Sequence, residues 1–292
     1  MKLLRLTVVL AAIDLDESSG DALDGARELA RTADAKLHIV HVGPADAKQQ
    51  DERKIAVGRL FDRAGLSPAD VPLHVVAGDP ADAIRALSDK LRADVIVLGR
   101  HRARSADGQR LGSTALAVVT NSWAPCLVLP GPMRLPLERV LVPVDMSDTA
   151  RGALVVALSW ASALRRAEKR ATAKSDPVSL TALCVDSAMR AGDATSEKQR
   201  VLNDELNRLR DEAGSWADVA IAGEVVASND VVGSIAGHAS EHDSDLVVLG
   251  TRGLGLDAVG RLGSVSLGVA GRIAIPILLV PPAVWNSYAA QS

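Results

Sequence analysis

Residues 246–266 read LVVLGTRGLGLDAVGRLGSVS, and residues 95–114 read VIVLGRHRARSADGQRLGST in the same register. Each stretch begins with an apolar run, continues as a glycine-rich segment and ends at a small hydroxylated residue where a helix is expected to begin. A glycine-rich loop between a buried strand and a helix start brings backbone N–H groups and the helix dipole close to an anion. Both stretches therefore predict a phosphate-binding loop, and their similarity indicates a duplicated unit.

The two loops differ at one informative position. The second copy has the full spacing of Gly, two residues, Gly, nine residues and Gly-Ser. The first copy keeps Gly99, Gly112 and Ser113 but has Arg102 in place of the second glycine. A side chain there either occludes the loop or holds a phosphate through two hydrogen bonds. Because a backbone nest depends on where its N–H groups lie, we expect a weakened or lost first site.

The composition excludes several classes of protein. At 292 residues with 48% apolar residues, the chain is long enough for two domains with substantial cores. Aromatic residues make up only 2% and the net charge is -3, which argues against nucleic-acid binding. Cys126 and Cys184 lack C-x-x-C partners, so we expect buried thiols in a reducing compartment rather than a zinc site or a disulfide. No apolar run approaches the roughly 18 residues of a membrane span.

The start of the chain invites comparison with a secretory signal, because Lys2 and Arg5 precede a short apolar run. The stretch ERVLVPVDMSDTA at 138–150 has the same apolar run ending in Asp, well inside the chain. We therefore expect the first run to be a strand.

Short Val/Ile/Leu runs alternate with amphipathic stretches of helical length, which predicts parallel strands joined by helices. The expected fold class is α/β, with two tandem doubly wound domains at 1–132 and 137–292, each a five-stranded parallel sheet flanked by helices. The second half has about 20 more residues, which we expect to form loops around 168–178 and 186–199. Strands are predicted near 6–12, 37–42, 73–77, 95–98, 126–129, 139–144, 179–185, 221–226, 246–249 and 277–280, and helices at 20–33, 81–92, 148–166 and 231–242.

Acidic residues recur between the halves, and one pair follows the first strand of each half. Asp14 corresponds to Asp145, while Asp79 and Asp94 correspond to residues 230 and 245. In doubly wound sheets, ligands bind beyond the carboxyl ends of the strands where the strand order reverses. If the first and fourth strands are neighbours, the carboxylate faces a base or ribose while the glycine loop holds the phosphates.

Together, Asp145 and the glycine spacing resemble the ATP-binding class of universal stress proteins, and the resemblance covers both halves. It implies the strand order 3-2-1-4-5, a cytoplasmic protein, and ATP with Mg²⁺ or Mn²⁺ between strands 1 and 4. The resemblance assigns adenine contacts to Pro143, Val144, Asp145 and Val185, and ribose and phosphate contacts to Gly250, Gly253, Gly263, Ser264, Val265 and Ser266. A weaker first-half site would comprise Asp14, Val42, Gly99, Arg102, Gly112, Ser113 and Thr114.

Two other motifs fit their contexts poorly. Residues 253–258 match the dinucleotide fingerprint G-x-G-x-x-A, but this loop follows a fourth strand and the helix begins only at Ser264. Residues 238–242 match the zinc pattern H-x-x-E-H without an indicated third ligand. There we expect Ile235 and Ala239 to pack inward and both histidines to face solvent.

Three functions remain open from the residues. The first is a nucleotide-dependent stress-response regulator without strong catalysis, since no general base or carboxylate pair is evident to activate water. The second is a nucleotide-independent scaffold for a protein or small hydrophobic ligand. In that scaffold the segments CLVLP and ILLVP, which resemble the edges through which universal stress proteins pair, would join the halves as an intramolecular dimer, with homodimerisation as a further expectation. The third is a slow ATPase.

Overall fold

The computed structural model describes residues 6–14, 19–43, 55–62, 64–67, 69–100, 111–171, 176–187, 193–213, 218–253 and 262–289. In the first half, strands and helices alternate along the chain. The strands are β1 (Val8–Ala12), β2 (Lys36–Gly43), β3 (Leu73–Ala77), β4 (Val95–Gly99) and β5 (Cys126–Leu129). The helices are α1 (Ser19–Ala33), α2 (helical residues 55–62), α3 (Pro80–Leu91) and α4 (Ser113–Asn121).

The second half repeats this alternation and ends in a further helix. Its strands are β6 (Arg139–Pro143), β7 (Val178–Asp186), β8 (Val219–Ala227), β9 (Leu246–Gly250) and β10 (Ile277–Val280). Its helices are α5 (Asp148–Ala171), α6 (Asp193–Ala213), α7 (Val231–Glu241), α8 (Ser264–Arg272) and α9 (Pro282–Ala289).

All ten strands belong to one sheet in the order β3-β2-β1-β4-β5-β10-β9-β6-β7-β8. Within each half the pairing is parallel and follows the expected order 3-2-1-4-5, so the predicted fold class is confirmed. The halves meet where β5 and β10 pair antiparallel, with Leu127 opposite Leu278. This junction uses the two segments that the sequence marks as pairing edges.

The sheet is buried on both faces, as a parallel sheet between helices requires. Val9 and Val95 face the side covered by α1 and α5, whereas Leu10 and Ile96 face the side covered by α3, α4, α7 and α8. All four side chains are fully buried. The apolar run near the start of the chain is thus a central strand of the first half, as predicted.

The extra length of the second half is helical where the sequence predicted loops. Helix α5 continues to Ala171, and α6 occupies 193–213, so the loop predictions at 168–178 and 186–199 were wrong over those residues. In α6, Leu202, Leu206 and Leu209 are buried at helical spacing beneath a polar outer face. The many polar residues of this segment favoured a loop in the sequence-based prediction. A sparse stripe of leucines is nevertheless sufficient for a surface helix. Positions 172–175 and 188–192 lie outside the described residues.

One repeated pair of carboxylates caps helices. Asp79 accepts a hydrogen bond from the Asp82 N–H at 3.0 Å at the start of α3. Asp230 accepts one from the Gly233 N–H at 2.8 Å at the start of α7. Each side chain satisfies a backbone donor that the helix itself leaves without an acceptor.

A second repeated pair fixes the beginning of the central strands. Asp94 Oδ2 accepts a hydrogen bond from the Val8 N–H at 2.8 Å, and Asp245 Oδ2 accepts one from the Arg139 N–H at 2.8 Å. Four of the six recurring carboxylates therefore serve the fold. The remaining pair, Asp14 and Asp145, follows the central strands.

Candidate functional site

A crevice opens at the carboxyl ends of β6 and β9. The registered pairs between these strands end at Leu141 and Val247, before the strand ends at Pro143 and Gly250. The chain leaves β6 toward β7 on one side while β9 lies on the other, so this is the point where the strand order reverses.

The crevice contains a cavity of about 270 Å³, which we call the second-half cavity. All ten residues predicted for the second site line it, so the structure brings the predicted set together. Its lining residues are Pro143, Val144, Asp145, Ala150, Leu183, Val185, Val231, Ile235, Leu249, Gly250, Arg252, Gly253, Gly263, Ser264, Val265 and Ser266.

The glycine loop approaches the carboxylate of Asp145 closely. A Cβ added to Gly253 would lie 2.5 Å from Asp145 Oδ2, closer than real Cβ atoms come to any heavy atom. The other carboxylate oxygen accepts a hydrogen bond from the Ser147 N–H at 3.0 Å, which orients the group. Gly253 is thus required by space, because any side chain there would displace the carboxylate.

Helix α8 starts at the cavity wall. Its N-cap Gly263 has an extended backbone and carries no side chain to cap the helix, so the N–H groups of the first turn have no intrahelical acceptor and no side-chain cap from that position. Ser266 Oγ donates to the Gly250 carbonyl at 2.7 Å, and the Gly263 N–H donates to the Thr251 carbonyl at 2.8 Å. These two bonds hold both ends of the loop against the helix start, where anions are favoured.

Part of the cavity lining is apolar, and most of these residues were not predicted from the sequence. Leu183, Val231 and Leu249 line this part together with the buried Ile235. Two sequence features could have identified these residues. They are the alternation of buried and exposed residues along β7 and the position of Val231 in the first turn of α7. Arg252, between the loop glycines, was also missed as a lining cation. The cavity thus offers both an apolar lining and backbone donors.

The first half has a corresponding but smaller cavity of about 170 Å³, which we call the first-half cavity. Position 115, which corresponds to Ser266, is alanine, so the hydroxyl bond to the strand end is missing there. Arg102 lies outside the described residues. The other six residues predicted for this site all line the cavity, namely Asp14, Val42, Gly99, Gly112, Ser113 and Thr114.

Comparison with known proteins settles the family. The family model for the "Universal stress protein family" matches residues 6–130 and again residues 136–281. The chain belongs to the universal stress protein family. Universal stress protein G of Salmonella typhimurium is 30% identical over 129 residues, which make up 39% of this chain and 89% of that protein.

Two solved structures extend the comparison. A universal stress protein from Archaeoglobus fulgidus is 19% identical with a TM-score of 0.65, and the match covers 94% of this chain and 98% of that one. This likeness shows that the tandem fold recurs. A universal stress protein in complex with cAMP is 26% identical with a TM-score of 0.37, covering 43% of this chain and 97% of that one.

The histidine motif of this universal stress protein has a structural role. Ile235 and Ala239 pack inward as predicted, and His242 is exposed. The prediction that His238 faces solvent was wrong. Its Nε2 lies 3.0 Å from Glu224 Oε2 on the neighbouring strand, and its ring stacks on the ring of His242. Within the described ranges, no group of three or more His, Cys, Asp or Glu side chains is placed to hold a metal ion.

Both cysteines are free and buried, as expected. Burial raises the pKa of the Cys126 thiol to about 12 and also raises the pKa of Cys184. The thiolate is the nucleophilic form of cysteine, so neither thiol is activated at neutral pH. None of the described helices of this universal stress protein is long and apolar enough to cross a membrane.

Proposed function

We propose that this tandem universal stress protein binds ATP in the second-half cavity, one nucleotide per chain, and acts as a cytoplasmic stress-response regulator. One observation carries the proposal. Asp145, the loop from Gly250 to Gly253 and the start of α8 at Ser264 meet in a single cavity that also has an apolar wall.

Each part of the cavity suits a different part of the nucleotide. The apolar side formed by Val185 and Ile235 suits the flat adenine ring. Asp145 accepts hydrogen bonds from the base or the ribose. The N–H groups at the start of α8 and the hydroxyl of Ser264 suit the phosphates. Arg252 adds a cation to the cavity lining.

A divalent ion would arrive with the nucleotide. Mg²⁺ usually keeps several waters and is held largely by the substrate phosphates, which leaves Asp145 for the base or ribose. The ion's contribution would be to neutralise phosphate charge. Because the described residues form no protein cage for a metal, we expect ATP and Mg²⁺ or Mn²⁺ to bind together.

The nucleotide is proposed as a signal of state rather than a consumed substrate. Of the described side chains that line the cavity, Asp145 is the one that could act as a base, and its Oδ1 is engaged by Ser147. Fast phosphoryl transfer needs a positioned water and further charge stabilisation. We therefore expect binding without rapid turnover.

The test is a calorimetric titration of Mg²⁺-ATP into the purified protein and into Gly263→Arg. This glycine has φ of -60°, which other residues also adopt, so the variant places a side chain in the cavity without straining the backbone. We expect saturable binding by the wild type, none by the variant, and similar thermal unfolding of both. Absence of wild-type binding at millimolar ATP would overturn the proposal.

The antiparallel junction of β5 with β10 favours the scaffold as the second candidate, since it already fuses two copies of the unit. In a scaffold, Gly263→Arg would leave the stress phenotype intact. The slow ATPase is tested by phosphate release that Ser264→Ala abolishes. Homodimerisation and the domain boundaries at 1–132 and 137–292 remain predictions, which size measurements and limited proteolysis would test.

A further inference from the structure

We propose that Arg100 of the first half is a positioning residue for the second-half cavity, because it anchors the helix whose N-terminus forms the anion-binding wall. This inference rests on the proposed function and identifies a contribution that crosses between the halves. Arg100 itself does not line the second-half cavity.

The guanidinium of Arg100 is buried at the far end of α8. The side chain is 6% exposed. It donates hydrogen bonds to the carbonyls of Ile273 at 2.6 Å, Ala270 at 2.6 Å and Gly271 at 3.1 Å. The last carbonyls of a helix have no intrahelical donor, and the C-terminal end of the helix dipole favours a cation. Arg100 therefore supplies both hydrogen-bond donors and a positive charge at the C-terminal end of α8.

The anchor is close enough to matter at the cavity. Helix α8 has nine residues, so its two ends are only about 12 Å apart. On its side the helix packs closely against α7, where a Cβ added to Gly268 would lie 2.8 Å from Val232 Cγ2. A short helix held at its side and at its C-terminus keeps Ser264 fixed. The bonds from Ser266 and Gly263 already tie the start of the helix to the end of β9. We infer that the anchor at Arg100 adds to them by limiting the tilt of the helix about its contact with α7.

The two halves differ at this position. The Arg100 N–H donates to the Leu129 carbonyl at 2.9 Å, and the Thr251 N–H donates to the Val280 carbonyl at 2.9 Å, so these residues occupy equivalent places. Threonine has no guanidinium to extend toward α4. The second half, which has the complete glycine spacing, is therefore the half whose helix α8 is bound by an arginine from the first half.

This arrangement gives the first half a role that does not depend on ligand binding in its own cavity. Arg100 directly follows Gly99, which lines the first-half cavity. The end of β4 thereby contributes to the architecture of the second site. The role of Arg100 therefore does not require an intact glycine spacing in the first loop.

The experiment compares Mg²⁺-ATP binding by the full-length wild type, Arg100→Met, Arg100→Lys and the control Arg165→Met. Arg165 is also buried, at 5% exposed, and donates to the Leu137 carbonyl at 2.9 Å, but it belongs to α5 and does not line the second-half cavity. We expect Arg100→Met to raise the Kd by about fivefold or more. Arg165→Met should lower thermal stability and leave the Kd unchanged, and Arg100→Lys should recover part of the affinity.

The outcomes separate the two proposals. If the wild type does not bind ATP, the proposed function fails and this inference fails with it. If the wild type binds and Arg100→Met binds equally well, only the positioning role of Arg100 is overturned. Equal weakening by Arg100→Met and Arg165→Met would also overturn it, because the cause would then be general destabilisation. Should Arg100→Met not fold, Arg100→Gln and Arg100→Lys provide the same comparison.

Discussion

Replacing Gly253 by alanine tests whether the Asp145 carboxylate takes part in binding at the second-half cavity. The new Cβ would lie 2.5 Å from Asp145 Oδ2, and ordinary contact begins at 3.4 Å, so the carboxylate must retreat by about 0.9 Å. Asp145 is exposed, so its carboxylate can move, but it gives up the hydrogen bond from the Ser147 N–H when it does. We therefore expect the free energy of unfolding to fall by about 0.5–1.5 kcal/mol.

Binding should respond more strongly. The displaced carboxylate loses its bond from the Ser147 N–H, and its hydrogen bonds to the nucleotide are weakened or lost. A hydrogen bond to a charged group is worth about 1.5–3 kcal/mol, which corresponds to a Kd raised about 10- to 100-fold. The assay is calorimetric titration with Mg²⁺-ATP alongside urea unfolding of the same preparation.

Gly237→Ala is the matched control. The Cβ added there meets only Glu241 Oε1, at 3.9 Å, and the position lies inside α7. Alanine should stabilise the helix by up to about 1 kcal/mol and leave the Kd unchanged. The reasoning is refuted if Gly253→Ala binds as tightly as the wild type, or if both glycine variants weaken binding equally.

The other predictions concern stability and pH. Gly250→Ala should cost about 1–3 kcal/mol in urea unfolding, because its Cβ would lie 2.8 Å from Thr149 Cγ2 and 3.1 Å from the Thr149 backbone; an unchanged midpoint would contradict this. Ser266→Ala removes the 2.7 Å bond to the strand end and should cost about 1 kcal/mol and weaken ATP binding, which titration of the variant would check. Burial lowers the pKa of His38 and of His74, whose ring nitrogens are 3.2 Å apart, so the unfolded chain takes up protons first as pH falls. Their contribution to the free energy of unfolding should be complete above about pH 6.5 and decline below it. Replacing both histidines by glutamine should make the midpoint of urea unfolding vary less between about pH 8 and about pH 5.5.

Much of the site was predictable because backbone requirements determine it. Gly253 is needed where the chain approaches a carboxylate, and such a need leaves a glycine at a fixed position in the sequence. Asp145 could be assigned because parallel strands end at one edge of the sheet. The strands were predicted for a similar reason, since residues buried on both faces form continuous apolar runs.

What could not be predicted depends on contacts between distant segments. Arg100 directly precedes the sequence HRARS, which contains two more arginines, and nothing local indicates that its guanidinium reaches the carbonyls around Ala270. Helix α6 has a polar outer face, and only its contact with β8 shows that three leucines at helical spacing are enough to bury its inner side. His238 similarly acquires a partner, Glu224, from a neighbouring strand.

The central claim is that the chain binds one ATP, in its second half. Native mass spectrometry of the intact protein with Mg²⁺-ATP counts bound nucleotides directly, and the duplicated fold supplies paired variants at equivalent N-caps, Gly112→Arg and Gly263→Arg. We predict one nucleotide per chain for the wild type and for Gly112→Arg, and none for Gly263→Arg. Two nucleotides per wild-type chain, or loss of binding in Gly112→Arg with retention in Gly263→Arg, would contradict the claim.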